Sequence, residues 1–234
     1  MTIISTKIKE IKSATPTIKH VRLDLLDNHF EYKAGQWINC YADIEDKREI
    51  VGYSIASSPL RRGYIDIAVK NSDNLVTAFL HSGAKEGDTL WIDGGHGDVY
   101  FEKGMSNSLV LVAAGIGIAP LMGISRYVAD SGNNIEVLLI YGAKNPDEII
   151  YHEELQDIER TQSNFRYVQL VSNDPKKVWK GFTGRINKEI IEQYSPDPNA
   201  LYYICGPPQM MDNILQYLKT QKIQESQLKY EYWW

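Results

Sequence analysis

The chain has 234 residues, 43% of them hydrophobic and 24% charged, which suits one large or two modest globular domains and not a disordered segment. A net charge of -5 with no long block of like charge argues against nucleic acid as the main partner, because phosphate binding needs a concentrated basic surface. Two cysteines, Cys40 and Cys205, are too few for a four-cysteine iron–sulfur cluster or zinc site within one chain. The first residues lack a signal-peptide run, and no stretch approaches the roughly 20 apolar residues of a spanning helix, so a cytoplasmic protein without membrane insertion is expected.

The first part reads as β. Residues 3–13 and 18–26 are short, alternating and β-branched, and residues 37–44, 51–57, 63–70 and 89–95 follow, bounded by Gly, Pro, Asn or Asp. One short helical piece, residues 75–83, ends in glycine. This spacing predicts an antiparallel barrel. After a polar stretch at 101–108 the rhythm changes. Continuous apolar runs at 108–115, 136–143, 165–172 and 200–206 alternate with helical patterns at 121–132, 151–161, 186–194 and 208–221. That alternation predicts an α/β domain with a doubly wound parallel sheet. Two domains are expected, 1–103 and 104–234.

Four local motifs carry chemistry. In LVLVAAGIGIAPLMGI, Gly115 and Gly117 lie between a buried strand and a helix that Pro120 is suited to open. Glycines let a backbone approach a phosphate, and the helix N-terminus favours its charge. A ligand-free turn fits the same residues, and Pro120 stands where the full G-x-G-x-x-G pattern has its third glycine. In ICGPPQMM, Cys205 ends a buried strand at its carboxyl end, where α/β sheets bind ligands; a plain core cysteine is the alternative. VGYSIASSP offers an aromatic face beside hydroxyls, suited to a planar heterocycle. The terminal KYEYWW brings Trp233 and Trp234 either onto the domain's own core or over a cofactor.

Taken in order, these motifs resemble the ferredoxin–NADP reductase superfamily over nearly the whole chain. The matching stretches are Tyr53-Ser54, Thr77-Ala78-Phe79-Leu80, EGDTLWIDGGHGDVYF, AAGIGIAPL, YGAKNPDEIIYHEEL, GFTGRI, YYICGPPQMM and Glu231 with its aromatic neighbours. VGYSIASSP and the EYWW end are most similar to the oxidoreductase NAD-binding domain-containing group. The resemblance implies a flavin-binding barrel followed by a nicotinamide-binding domain, with FAD (or FMN) as cofactor and NADH or NADPH as co-substrate. It implies that Tyr53 stacks on flavin, that Ser54, followed by Ile55, bonds near flavin N5, and that Thr77 binds flavin phosphate. Gly115, Gly117 and Pro120, with Gly206 and Pro207, would cradle the dinucleotide. Cys205 and Glu231 would flank the nicotinamide as catalytic residues with Ser54, and Trp234 would cover the flavin.

The sequence departs from the family at Val51, where an arginine usually pairs with flavin phosphate; Arg48, Lys70 and Arg22 are the candidate substitutes. Where NADPH-using members carry Ser-Arg, this chain has Ser172-Asn173-Asp174, whose carboxylate would repel a 2′-phosphate, while Arg185 matches a second phosphate-contacting position. NADH is favoured. Three functions follow: a reductase passing electrons from bound FAD to a separate acceptor (a ferredoxin-like or other redox protein, or a small molecule), a flavin reductase using free flavin as substrate, and a non-catalytic subunit of a larger redox complex.

Overall fold

The computed structural model describes residues 2–194 and 196–232. Its first sheet is built from β1 (Ile4–Ser13), β2 (Ile18–Asp24), β3 (Trp37–Ile44), β4 (Lys47–Ser54), β5 (Tyr64–Lys70) and β6 (Thr89–His96), all antiparallel, in the order β4-β3-β6-β1-β2-β5. Just past β4, a bridge between Ile55 and Ile67 brings the two edge strands together and closes the sheet on itself. Along β3 the pleat turns Ile38, Cys40 and Ala42 into the core and leaves Trp37, Asn39 and Tyr41 only partly covered on the other face. The helix α1 (Leu75–Ser82) packs against β3 and β4 with Val76, Thr77 and Leu80 buried. Its start is fixed by Asn74, whose Oδ1 accepts from the amides of Val76 at 2.9 Å and Thr77 at 3.3 Å.

The second sheet is parallel throughout. It contains β7 (Ser108–Ala114), β8 (Glu136–Ala143), β9 (Phe165–Val171), β10 (Phe182–Thr183), β11 (Leu201–Cys205) and β12 (Leu228–Tyr230), in the order β10-β9-β8-β7-β11-β12. Alternate residues of β7 serve opposite cores. Leu109, Leu111 and Ala113 meet α2 (Ile118–Ser131) and α3 (His152–Thr161), whereas Val110 and Val112 meet α4 (Lys188–Gln193) and α5 (Pro208–Thr220). The strand order reverses between β7 and β11, which makes the carboxyl ends of these two strands the topological switch point.

The core that holds α2 also includes Ile18 and Ala68 of the barrel strands, together with Ala34 and Phe101. The helix is therefore wedged between sheet and barrel, and every residue from Ile118 to Arg126 is buried.

The structure extends the sequence reading at three points. β10 and β12 are two and three residues long, too short to carry a periodic signal, yet each adds a strand to an edge of the parallel sheet. α2 begins at Ile118 after a 3₁₀ turn over Gly115–Gly117, so Pro120 is its third residue and not its first. A proline is accepted there because the first turn has no intrahelical partner for its missing N–H. β4 starts at Lys47, with polar residues that alternation alone did not mark.

Asn74→Ala removes the cap of the short helix that carries Thr77. Urea unfolding is expected to show a loss of about 1 kcal/mol, the usual size for a capping side chain.

Candidate functional site

Tyr53 lies on β4 opposite Ile38, with its ring in the barrel core and only 8% of its surface exposed. Its hydroxyl shares a 2.7 Å hydrogen bond with the buried Thr77 Oγ1. Burial holds the phenol above its ordinary value, with the Thr77 bond opposing, so the group stays protonated. Ser54 is the last residue of β4, half-buried and opposite Trp37.

The parallel sheet faces these residues from the other side. Gly115 has φ +56°, a backbone conformation that a side chain would strain. Two residues on, a Cβ at Gly117 would run into the carbonyl of Cys205. The turn after β7 and the end of β11 are thus in direct contact at the switch point, a fit that only glycine allows. Beyond Cys205, Pro207 caps α5 and Pro208 opens it.

Tyr53, Ser54 and Thr77 from the barrel, and Gly115, Gly117, Pro120, Cys205, Gly206 and Pro207 from the second sheet, line one cleft of about 410 Å³. Ile55, expected with them, is instead placed in the barrel core: its side chain is fully buried and its amide donates to the Gln36 carbonyl at 2.9 Å. Glu231 is not a lining residue. Its Oε1 accepts from the Asp98 amide at 3.2 Å, and burial raises its carboxyl against the Asp98 and Val99 amides. It lies close enough to Cys205 to reinforce the burial that pushes the half-buried thiol up to about 12. Trp233 and Trp234 lie outside the described residues.

The three candidate substitutes for the missing arginine separate cleanly. Arg48 is bound to Asp43 at 2.9 and 3.1 Å and stacks over Trp91. Arg22 is bound to the buried Asp66 at 2.7 and 3.0 Å. Lys70, at the end of β5, lines the cleft together with Val51. It also lines a neighbouring cleft of about 620 Å³ with Gly115, Lys144, Ser172 and Arg185. Asp174 does not line that second cleft, and its Oδ2 accepts from the Trp179 amide at 2.7 Å. Lys144 escaped the sequence reading, although its place just past the carboxyl end of β8 is where α/β sheets present ligand-binding groups.

Both cleft chemistries fit their expected occupants. The half-buried Ser54 hydroxyl, the apolar wall from Val51 to Tyr53 and the Lys70 ammonium suit a planar heterocycle with a phosphate tail. The glycine cradle at the N-terminus of α2, followed by Lys70, Lys144 and Arg185, suits a phosphorylated dinucleotide. Among the described residues no group of three or more His, Cys, Asp and Glu is arranged to hold a metal ion, and no helix is long and apolar enough to cross a membrane.

Residues 5–101 match the profile of the oxidoreductase FAD-binding domain and residues 111–216 that of the oxidoreductase NAD-binding domain. The oxidoreductase NAD-binding domain-containing protein 1 of Xenopus tropicalis is 30% identical over 250 residues, spanning 97% of this chain and 78% of that protein. The chain belongs to the family of the oxidoreductase NAD-binding domain-containing proteins. FAD and a nicotinamide dinucleotide are the cofactors of this oxidoreductase family. The phenol hydroxylase P5 protein of Acinetobacter pittii (strain PHEA-2) is 29% identical over 226 residues, 95% of this chain but 63% of that protein. In fold, the chain is similar to the flavohem-like FAD/NAD-binding domain of nitric oxide dioxygenase from Vibrio cholerae, with a TM-score of 0.85, 22% identity and 97% of each chain covered.

Because burial keeps the thiols of Cys205 and Cys40 protonated, both raised to about 12, the folded protein should resist iodoacetamide at pH 8. In urea both should react at once, and intact mass before and after unfolding reads the difference. Rapid alkylation of folded protein at Cys205 would contradict the burial argument.

Proposed function

We propose that the chain is an NAD(P)H-dependent flavin oxidoreductase that passes electrons from bound FAD to a separate acceptor. The observation that carries this reading is the convergence of Tyr53, Ser54 and Thr77 with Gly115, Gly117 and Cys205 on one cleft at the switch point. Residues 1–103 serve as the flavin domain and 104–234 as the nicotinamide domain. A flavin held in the cleft would supply two-electron chemistry, accepting hydride from the nicotinamide C4 and releasing the electrons to the acceptor.

The protein's own groups bind and orient. The resemblance gives Thr77 the flavin phosphate and Tyr53 the ring face; with the Thr77 hydroxyl on Tyr53 and the Val76 and Thr77 amides on Asn74, these groups would have to turn toward the cleft as flavin binds. Ser54 donates a hydrogen bond at the flavin edge that gains charge. Cys205, uncharged, and Glu231 flank the nicotinamide, and Gly115, Gly117, Pro120, Gly206 and Pro207 cradle the rest of the dinucleotide. The resemblance gives Trp234, which lies outside the described residues, the cover over the flavin. The acceptor is a redox protein or a small molecule. Relatives named as the phenol hydroxylase P5 protein and the reductase component of propane 2-monooxygenase favour the protein acceptor.

A second reading is supported by Val51. With Lys70 the one cation lining the cleft among the described residues, flavin is held weakly and serves as a substrate. An absorbance spectrum of purified protein separates the two, since a retained flavin is yellow. Anaerobic NADH and then NADPH should bleach it, and failure of both to do so with FAD added would overturn the proposal. Asp174, engaged with its own loop, leaves Lys144 and Arg185 to act on the adenosine end, so the ratio of the two rates reports their effect on a 2′-phosphate.

Ser54→Ala is expected to slow flavin reduction by about 2–4 kcal/mol of barrier while leaving flavin content nearly intact. Stopped-flow reduction by NADH measures it, and an unchanged rate removes Ser54 from the mechanism. Val51→Arg should tighten FAD by roughly 1.5–3 kcal/mol through a charge-assisted bond to phosphate, read by titration of flavin-free protein. No change would assign that task to Lys70.

A further inference from the structure

The most heavily engaged side chain between barrel and sheet is Arg126 of α2, only 5% exposed. Its Nη1 donates to the carbonyl of Ala56 at 2.8 Å. Its Nε and Nη2 form a two-pronged pair with Glu154 of α3 at 2.8 and 2.6 Å. Asp66 of β5, itself fully buried and bound by Arg22, stands 3.6 Å from Nη1, and the Tyr151 ring lies 4.9 Å from the guanidinium. The guanidinium thus ties two helices of the nicotinamide side to the backbone of the flavin side.

The place it grips is specific. Ala56 lies two residues after Ser54, on the segment that leaves β4 at the cleft. The same segment touches α2 a second time, because a Cβ at Gly123 would stand 2.7 Å from the Ile55 carbonyl oxygen. Ser57 is fixed as well, its hydroxyl accepting from the Asp66 amide at 3.1 Å. At the other end of the same helix is the Gly115–Gly117 turn. Arg126 stands nine positions beyond Gly117, roughly 13 Å along a rigid rod.

We propose that Arg126 is a positioning residue for hydride transfer: by holding the Ala56 carbonyl against α2, it sets Ser54 in register with the dinucleotide turn at the start of that helix. The inference rests on the reading of the cleft as a hydride-transfer site. Reacting atoms must come within about 3–3.5 Å, and a misplacement of about 1 Å costs up to roughly 100-fold in rate. Apolar packing alone tolerates such a slip, whereas a forked guanidinium bound at three oxygens does not.

The test uses the flavin-loaded protein and three variants. Arg126→Lys keeps the charge and loses the fork. Gly123→Ala pushes the Ile55 carbonyl away without touching any charge. Glu154→Gln weakens the grip on Arg126 and leaves the interface otherwise filled. At saturating NADH, Arg126→Lys and Gly123→Ala should each lower the reduction rate per bound flavin by about 10- to 100-fold, with Glu154→Gln between them and wild type. Flavin content and NADH affinity should stay within about twofold, because the groups that touch either molecule are intact. Amide hydrogen exchange over residues 54–58 should quicken in the same order, a readout independent of turnover.

A wild-type protein that NADH fails to reduce would sink the proposed function and this inference with it. A wild type that is reduced, with variants that match its rate per flavin or lose rate only in proportion to lost flavin, would overturn the role of Arg126 alone. Unchanged exchange over residues 54–58 in Arg126→Lys would do the same.

Discussion

The constraint on which the rest of the molecule depends is that α2 must satisfy two cores at once. One face of the helix closes the parallel sheet over Leu109, Leu111 and Ala113, and the other meets Ile18 and Ala68 of the barrel. A helix covered on both sides reads as apolar nearly all round, as its first seven residues do. Its N-terminus is then pinned at the switch point, because the turn that precedes it packs on the Cys205 carbonyl. The cleft is a by-product of this arrangement: where the wedge ends, the barrel's β4 edge and the ends of β7 and β11 face each other across an unfilled gap.

Charge is distributed along this gap in a way that matches what each part holds. In the middle the groups are kept neutral by burial: the Tyr53 phenol and the Cys205 thiol, whose burial the nearby Glu231 carboxylate reinforces from outside the cleft. A redox ring system that must exchange two electrons is served by uncharged neighbours that neither attract nor repel it strongly. At the periphery stand Lys70, Lys144 and Arg185, where a dinucleotide carries its phosphates. The pattern places strong fields at the rim of the gap and weak ones in its middle.

Most of this was legible in the sequence, for a physical reason. Strands of seven or more residues, glycine turns and helix caps are set by local backbone chemistry, so the barrel and the alternating β/α units could be read from their immediate neighbours, as could the motifs around Tyr53, Ser54, Gly115, Gly117 and Cys205; Thr77 entered only through the family resemblance. What escaped depends on partners distant in the chain. β12 forms only because β11 offers an edge, and β10 because β9 does. Ile55 looked like part of a ligand motif, but closure of the barrel on Ile67 takes it into the core. Arg126 sits in a helical pattern where a lone arginine marks a solvated face, and nothing near it in sequence announces Ala56, 70 positions away.

The same contrast explains why a charged cluster occupies an interface that apolar side chains could fill. Asp66 is answered by the guanidinium groups of Arg22 and Arg126, since burial holds the nearby His20 below its ordinary value and so toward its neutral form. Taking such charges out of water costs several kcal/mol per ion, so the network adds little net stability over well-packed hydrophobic residues. Its distinctive property is direction. Isoleucine and alanine surfaces slide past each other with small changes in buried area, but a planar fork bound to two carboxylate oxygens and a carbonyl has one good geometry. Hydrophobic contact holds barrel and sheet together, and the Arg126 cluster determines where along that contact they stop.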